Sequence, residues 1–489
     1  MRRFAIAIGA LAAVLGLLSA PGELGAGGTA LAETIPGQTK PNIVLVLTDD
    51  QRWDTLWAMP GVLETIAANG VTFTNGFVVN PQCCPIRASL LTGSYSHGTG
   101  VYRNTPPNGG FEAFRDRRTI ATALKAQGYT TALVGKYLNG YGAGAEAGAP
   151  AYVPPGWDTW AAFHGPPRYY RYSLALGPQV VRVGSGSERY STTALGELAL
   201  SFLRTAQEPF FLEFAPFAPH APATPPPAGV PLEDDLSWWK PTRTRERDRR
   251  DKPAHVRTLA PLTASEVSNI ARFERRQILA IAAVDDVVRR IVGELEARNV
   301  IGRTLIVFTS DNGMAWGAHE LAAGAKYVPY EEAIRVPLVV RYDPLTAGRA
   351  RDDERLVLNL DLAPTFAAFA GARLPRMDGR DLRPLLRPSS APSWRNDFLI
   401  EHLFTGGRER VPTYCGLRTR RYKYVAYQTG EFEFYDLARD PKEFHNLHAR
   451  QEVRGLEREL QSRLSAACRP RPPGFTALDR DPVLARSSR

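Results

Sequence analysis

The chain has 489 residues, 44% of them hydrophobic, and a formal net charge of +10. That length buries a large core, enough for about two to four domains. Arginine is spread along the chain without any nucleic-acid-binding signature, so the charge does not imply a nucleic-acid partner, and no segment beyond the N-terminus is suited to spanning a bilayer.

Met1-Arg2-Arg3 precedes an apolar stretch at 4–18, and small residues then lead to Ala30-Leu31-Ala32. This is the pattern of a secretory signal over 1–32, cleaved before Glu33, and it predicts a secreted or extracytoplasmic protein with no stable membrane insertion. Residues 42–48 form an uninterrupted apolar run, the mark of a parallel strand covered on both faces, and the run ends in Asp49-Asp50. Residues 83–93 read as a helix, with Pro85 suited to the first turn and Gly93 to the close. Cys83 then sits at a helix N-terminus, where free N–H groups and the dipole favour anions. Arg87, one turn on, adds a forked donor matched to tetrahedral oxyanions. The combination suits sulfate or phosphate; the alternative is a metal or disulfide cysteine pair or two small buried hydrophobes, although vicinal cysteines without C-x-x-C spacing are poor zinc ligands.

Strand 130–135 runs into Lys136, and the Gly/Ala-rich stretch 140–149 reads as a loop. A helix over 191–205 precedes strand 210–215, which leads through Ala218-Pro219 to His220. Next come a Pro-rich stretch at 221–231, Trp238-Trp239 and a basic segment at 240–252. Interleaved acidic residues make that segment a solvated insertion loop, the alternative being a lid that grips a polyanion. A long helix over 264–298 leads to strand 304–310, which ends in Asp311-Asn312-Gly313, and another helix follows at 360–370. After 388–392 the pattern shifts to short aromatic strands and a helix over 451–464. Cys415 and Cys468 fall in this part and are expected to pair in an oxidising compartment, leaving Cys84 free and buried.

The predicted fold is α/β, with a mostly parallel central sheet, helices on both faces, and a smaller C-terminal domain built on an antiparallel sheet. The boundaries are 33–390 for the larger domain and 391–489 for the smaller. Four predicted strands each deliver a polar group at the carboxyl end, the edge at which open α/β sheets build their sites. Asp49, Asp50, Asp311 and Asn312 bring together three carboxylates and an amide oxygen, a donor set for a hard cation such as calcium or magnesium.

In their order and spacing these motifs resemble the formylglycine-dependent sulfatases of the alkaline-phosphatase superfamily. Cys83-x-Pro85-x-Arg87 with Leu91-Thr92-Gly93 is similar to the family's C-x-P-x-R…L-T-G signature, and Asp49-Asp50 to its paired metal aspartates. Gly135-Lys136-Tyr137 resembles its G-K-[WY] segment, Pro219-His220 its P-H element, and Asp311-Asn312-Gly313 its second metal segment. Lys326 with Tyr330-Glu331-Glu332-Ala333-Ile334-Arg335-Val336-Pro337 resembles its lysine and Y-E-x-x-x-R-V-P stretch. The chain departs at Ile86, where many sulfatases have serine, and at Leu138-Asn139, where many continue G-K-W-H. C-C-P paired with G-K-Y-L-N resembles the branch of N-acetylglucosamine-6-sulfatases and extracellular heparan 6-O-sulfatases, with Asn139 taking over a polar contact to sulfate. His319 resembles a G-x-H element near bacterial sulfatase sites.

The resemblance implies that a formylglycine-generating enzyme oxidises Cys83 to 3-oxoalanine, which joins the metal ligands. One hydroxyl of the aldehyde hydrate then attacks sulfur, and the other later expels sulfate. A calcium or magnesium ion, Arg87, Lys136 and Lys326 would stabilise the sulfuryl group, with His220 as the acid. The implied substrate is a sulfated small molecule or glycan. Two alternatives remain: a phosphonate monoester or phosphodiester hydrolase of the same superfamily, and a non-catalytic glycan-binding relative, against which the intact carboxylates argue.

Overall fold

The computed structural model describes residues 40–479 apart from 147, 228–245, 388–392 and 407–409. The signal at 1–32, the Trp238-Trp239 pair with the first part of the basic segment, and the expected boundary near 390 lie outside the described residues. The strands in chain order are β1 (Asn42–Thr48), β2 (Val71–Phe73), β3 (Gly76–Phe77), β4 (Thr130–Gly135), β5 (Thr159–Phe163), β6 (Tyr172–Leu176), β7 (Gln179–Val183) and β8 (Phe210–Ala215). They continue with β9 (Thr304–Ser310), β10 (Leu338–Arg341), β11 (Arg351–Asp353), β12 (Val357–Leu358), β13 (Asp397–His402), β14 (Tyr414–Thr419), β15 (Tyr422–Tyr427) and β16 (Phe432–Asp436).

Ten strands form one sheet in the order β11-β2-β10-β9-β1-β8-β4-β5-β6-β7. The central five, β9-β1-β8-β4-β5, are parallel, and antiparallel pairs flank them on both sides. Along β1, Ile43, Leu45 and Leu47 face one core while Val44 and Val46 face the other, so every residue of the run is buried. The helices Ser191–Thr205 and Ala264–Ala297 cover one face; Cys83–Thr92, Ile120–Ala126 and Leu362–Ala370 cover the other. The long helix opens on a capping box in which Thr263 and Glu266 satisfy each other's backbone N–H groups. The expected helix at 360–370 starts with a tighter turn, Asn359–Asp361, before Leu362–Ala370.

The smaller C-terminal sheet is antiparallel in the order β13-β14-β15-β16. The helix expected at 451–464 is a turn, Gln451–Val453, followed by Arg454–Ala467. Cys468 caps that helix and is disulfide-bonded to Cys415 on β14, with the Cα atoms 6.4 Å apart. Cys83 and Cys84 are the free, buried thiols among the described residues.

Strand ends are level at the edge that matters. Thr48 on β1 lies opposite Ser310 on β9, and Gly135 on β4 lies opposite Ala215 on β8. Gly135 has a φ of +126°, and a Cβ there would stand 2.0 Å from the Ala215 carbonyl oxygen, so only glycine lets the chain leave β4 against β8.

The core also holds a carboxyl on a central strand. Glu213 on β8 sits between Leu45 and Leu133 with Oε2 buried and without a partner among the described residues. Burial pushes its carboxyl up to about 7, against the pull of the Arg87 charge. The folded value exceeds the unfolded one, so the fold favours the protonated acid and stability falls as pH rises through the window from about 4.5 to about 7. The penalty above that window is about 3 kcal/mol. Glu213→Gln is expected to gain stability relative to the wild type at pH 8 and not at pH 4, read as denaturation midpoints; a gap independent of pH contradicts this.

Candidate active site

The carboxyl ends of β1, β9, β8 and β4 bring four segments to one place. Asp49 follows β1 directly and its N–H donates to Ala218 O, which ties it to the segment after β8. Asp50 takes a φ of +67°, a left-handed conformation that aspartate tolerates better than most residues. Its N–H donates to Asp311 Oδ1 at 3.1 Å, joining the β1 and β9 ends.

Cys83 heads the helix Cys83–Thr92, and Gly93 closes it in a left-handed conformation. The Cys83 Sγ lies 3.4 Å from Asp49 Oδ1 and 3.1 Å from Lys326 Nζ. Lys326 Nζ also donates to Asp50 Oδ1 at 2.6 Å, and Lys136 Nζ donates to Asp49 Oδ2 at 2.5 Å. Arg87 lies one turn down the helix. Its Nε and Nη2 reach Asp311 Oδ2 at 3.0 and 2.9 Å, and its Nη1 donates to Lys136 O at 2.8 Å. His220 donates from Nδ1 to Ala221 O and turns Nε2 toward Asp50 Oδ2, 3.5 Å away. Its side chain is 28% exposed, which makes it the cluster's contact with solvent.

Burial alone would raise the Asp49 and Asp50 carboxyls, but Lys136 beside the first and Lys326 beside the second hold both below the usual carboxylate range. Both lysines are held above their ordinary value for the reciprocal reason. Burial pushes the Cys83 thiol up, and Asp311 and Asp49 push it further. An unmodified Cys83 is therefore a protonated thiol and a poor nucleophile.

Ligand atoms of Asp49, Asp50, Cys83 and His220 lie within 4.8 Å of one another. Asn312 adds an amide whose Nδ2 donates to Asp50 Oδ1 at 2.6 Å and whose buried Oδ1 has no hydrogen-bond partner among the described residues. An orphaned oxygen beside clustered carboxylates fits a hard divalent cation. Asn139 is half-buried, its Oδ1 also without a partner among the described residues, while its backbone carbonyl accepts from Phe111 N. His319 is positioned differently. Its ring is fully buried, stacked on Tyr330 at 4.0 Å and bonded through Nδ1 to Glu246 Oε2 at 2.6 Å, and these contacts do not include the Asp49–Cys83 cluster.

Three positioning residues carry no motif. Asn104 Oδ1 accepts the Cys84 N–H at 2.9 Å, satisfying a first-turn donor. Gln82, before Cys83, bonds through Nε2 to His402 Nδ1 at 3.0 Å. Gln277 reaches from the long helix to Pro219 O at 3.0 Å. Only Gln277 leaves a trace in the sequence, as a polar residue on the helix's apolar face.

The family model described as sulfatase matches residues 41–372, and one described as N-sulphoglucosamine sulphohydrolase, C-terminal, matches 320–469. N-acetylglucosamine-6-sulfatase of Homo sapiens is 34% identical over 77% of this chain and 70% of its own length. The extracellular sulfatase SULF-1 homolog of Drosophila melanogaster is 32% identical over 78% of this chain, which covers 35% of that longer protein. Among solved structures, a protein in complex with its substrate D-glucosamine-2-N,6-O-disulfate superposes with a TM-score of 0.71 at 24% identity, covering 91% of this chain and 100% of that one. A phosphonate monoester hydrolase of Agrobacterium radiobacter also gives 0.71, at 22% identity, covering 87% of this chain and 95% of that one. The two share the fold, so the overall shape does not separate sulfate from phosphonate esters. The sequence matches do, and by them the chain belongs to the sulfatase family and is a sulfuric ester hydrolase.

Proposed function

We propose that the protein releases sulfate from sulfated sugars, in particular 6-O-sulfated glucosamine units, using a formylglycine derived from Cys83 and a divalent cation, calcium or magnesium. The observation that carries this reading is the seating of Cys83 between Asp49 and Lys326 at the head of an anion-favouring helix. The sugar assignment rests on the 34% identity to human N-acetylglucosamine-6-sulfatase and on the branch motifs around Cys84 and Asn139. Asp49, Asp50, Asp311 and Asn312, together with the modified residue 83, would hold the cation.

When both groups are present, the cation supplies Lewis acidity and the aldehyde hydrate supplies the attacking hydroxyl. Arg87, braced by Asp311 and Lys136 O, keeps its charge close to residue 83. Lys136 and Lys326 present ammonium groups to the sulfuryl oxygens as negative charge builds on them. His220 has Nδ1 fixed by Ala221 O, which leaves Nε2 to pass a proton to the departing alcohol. Asn139 is assigned a polar contact to the substrate, and His319, held by Tyr330 and Glu246, a supporting role. The Cys415–Cys468 disulfide and the relatives named extracellular sulfatases support an extracytoplasmic location.

The mass of the Cys83 peptide, from protein made in its own host or with the modifying enzyme, should show the loss that matches thiol-to-aldehyde conversion. An unmodified thiol in a preparation that still hydrolyses sulfate esters would end this reading. Exhaustive chelation is expected to abolish sulfate release, with calcium or magnesium restoring it; full activity after chelation refutes the metal. His220→Ala should lower kcat about 10²- to 10⁴-fold with an unchanged denaturation midpoint.

A further inference from the structure

Arg103 belongs to none of the motifs above, yet it is only 8% exposed. Its Nη1 donates to Thr405 Oγ1 and its Nη2 to Gly406 O at 3.2 Å, while Nε is buried without a partner among the described residues. Arg52, Arg87, Arg395 and Arg418 are also buried, and each faces a carboxylate. Arg103 has none among the described residues: a guanidinium is held out of water with donors to spare and no carboxylate among those residues facing it.

Its location ties that charge to the reaction centre. The next residue, Asn104, accepts the Cys84 N–H, and the preceding carbonyl, Tyr102 O, accepts from Asn80 Nδ2 at 3.1 Å. On the other side, Thr405 lies three residues after His402, which is bonded to Gln82. Both segments that grip the guanidinium are thus fastened to the residues flanking Cys83. Thr405 and residues 105–107 are exposed, so the grip lies at a rim open to solvent.

We propose that Arg103 forms an anionic subsite beside Cys83, taking a second negatively charged group of the substrate: a sulfate, sulfamate or carboxylate. The inference rests on the sulfate-ester reading above and narrows its substrate class to sugars carrying more than one charge. A guanidinium fork with unused N–H groups matches such oxyanions, and a bound anion would supply a countercharge that the described residues do not.

The test compares kcat/KM for N-acetylglucosamine 6-sulfate with two doubly charged esters, glucosamine 2-N,6-O-disulfate and a 6-O-sulfated disaccharide carrying a uronate. The wild type should prefer one of the doubly charged esters, and which one identifies the second group. In Arg103→Gln that preference should fall about 10- to 100-fold, mainly through KM, with Arg103→Lys between the two. A preference unchanged in both variants, including an equal loss on all three substrates, overturns the subsite and leaves Arg103 as a strap between loops. Calorimetric titration with glucosamine N-sulfate and with N-acetylglucosamine, which carry no ester, decides the subsite even if no ester is turned over. Tighter binding of the first that weakens about 10-fold in Arg103→Gln supports it. Binding of glucosamine N-sulfate, and of an unsulfated N-acetylglucosamine–uronate disaccharide titrated in the same way, no tighter than that of N-acetylglucosamine refutes it without touching the parent reading.

Discussion

Three carboxylates and three cations share a space from which water is largely excluded, and that balance governs the rest of the molecule. Asp49, Asp50 and Asp311 are at most 2% exposed, and Arg87, Lys136 and Lys326 at most 6%. Removing any one of the six leaves a buried charge unanswered, which costs far more than a surface pair contributes. The cluster is formally neutral as it stands, so a divalent ion added to it makes the site positive, which suits an incoming sulfate ester. Asp49 and Asp50 are neighbours, the other four come from separate parts of the chain, and the parallel sheet brings the strand ends among them to one edge.

A second buried network braces the site from the C-terminal sheet. The Glu331 carboxylate accepts from Arg418 on β14 and Lys423 on β15, while Glu443 accepts from Lys423 and from the Glu331 N–H. Next to it, the hydroxyls of Tyr330, Tyr427 and Tyr435 all donate to Glu433 on β16. Tyr330 and Glu331 follow Lys326 by a few residues, so the smaller sheet holds in register the segment that supplies one of the three cations. The segment from Tyr330 to Pro337 is thus explained by its contacts with a partner sheet as well as by any chemistry.

Four of the five central strands were legible because their apolar runs are continuous and lead into acids, lysine or histidine: β1, β4, β8 and β9 begin and stop where the pattern changes, whereas the short β5 was not legible. The helix at Cys83 was legible from Pro85 and Gly93. The short strands β2 and β10 and the edge strand β11 were not, since three or four residues are too few to show a periodicity. Asn104 and His402 escaped for a related reason. Each matters through one long-range hydrogen bond, and nothing local distinguishes such a residue from any other polar loop residue. His319 carried a motif, but its burial against Tyr330 depends on packing between distant segments.

The site residues differ in how closely the sheet dictates them. Asp49, Lys136 and Asp311 each come directly after a strand, with no spacer, so one inserted residue would turn them to the opposite face. His220 and Asn139 come later, and Arg103 sits on a loop attached to no strand of the large sheet. Evolution can therefore lengthen, shorten or rewrite the outer loops, and so change which alcohol is admitted, while the strand-borne charges stay in place. Bond-breaking and choice of substrate are, in heredity as in space, separately adjustable.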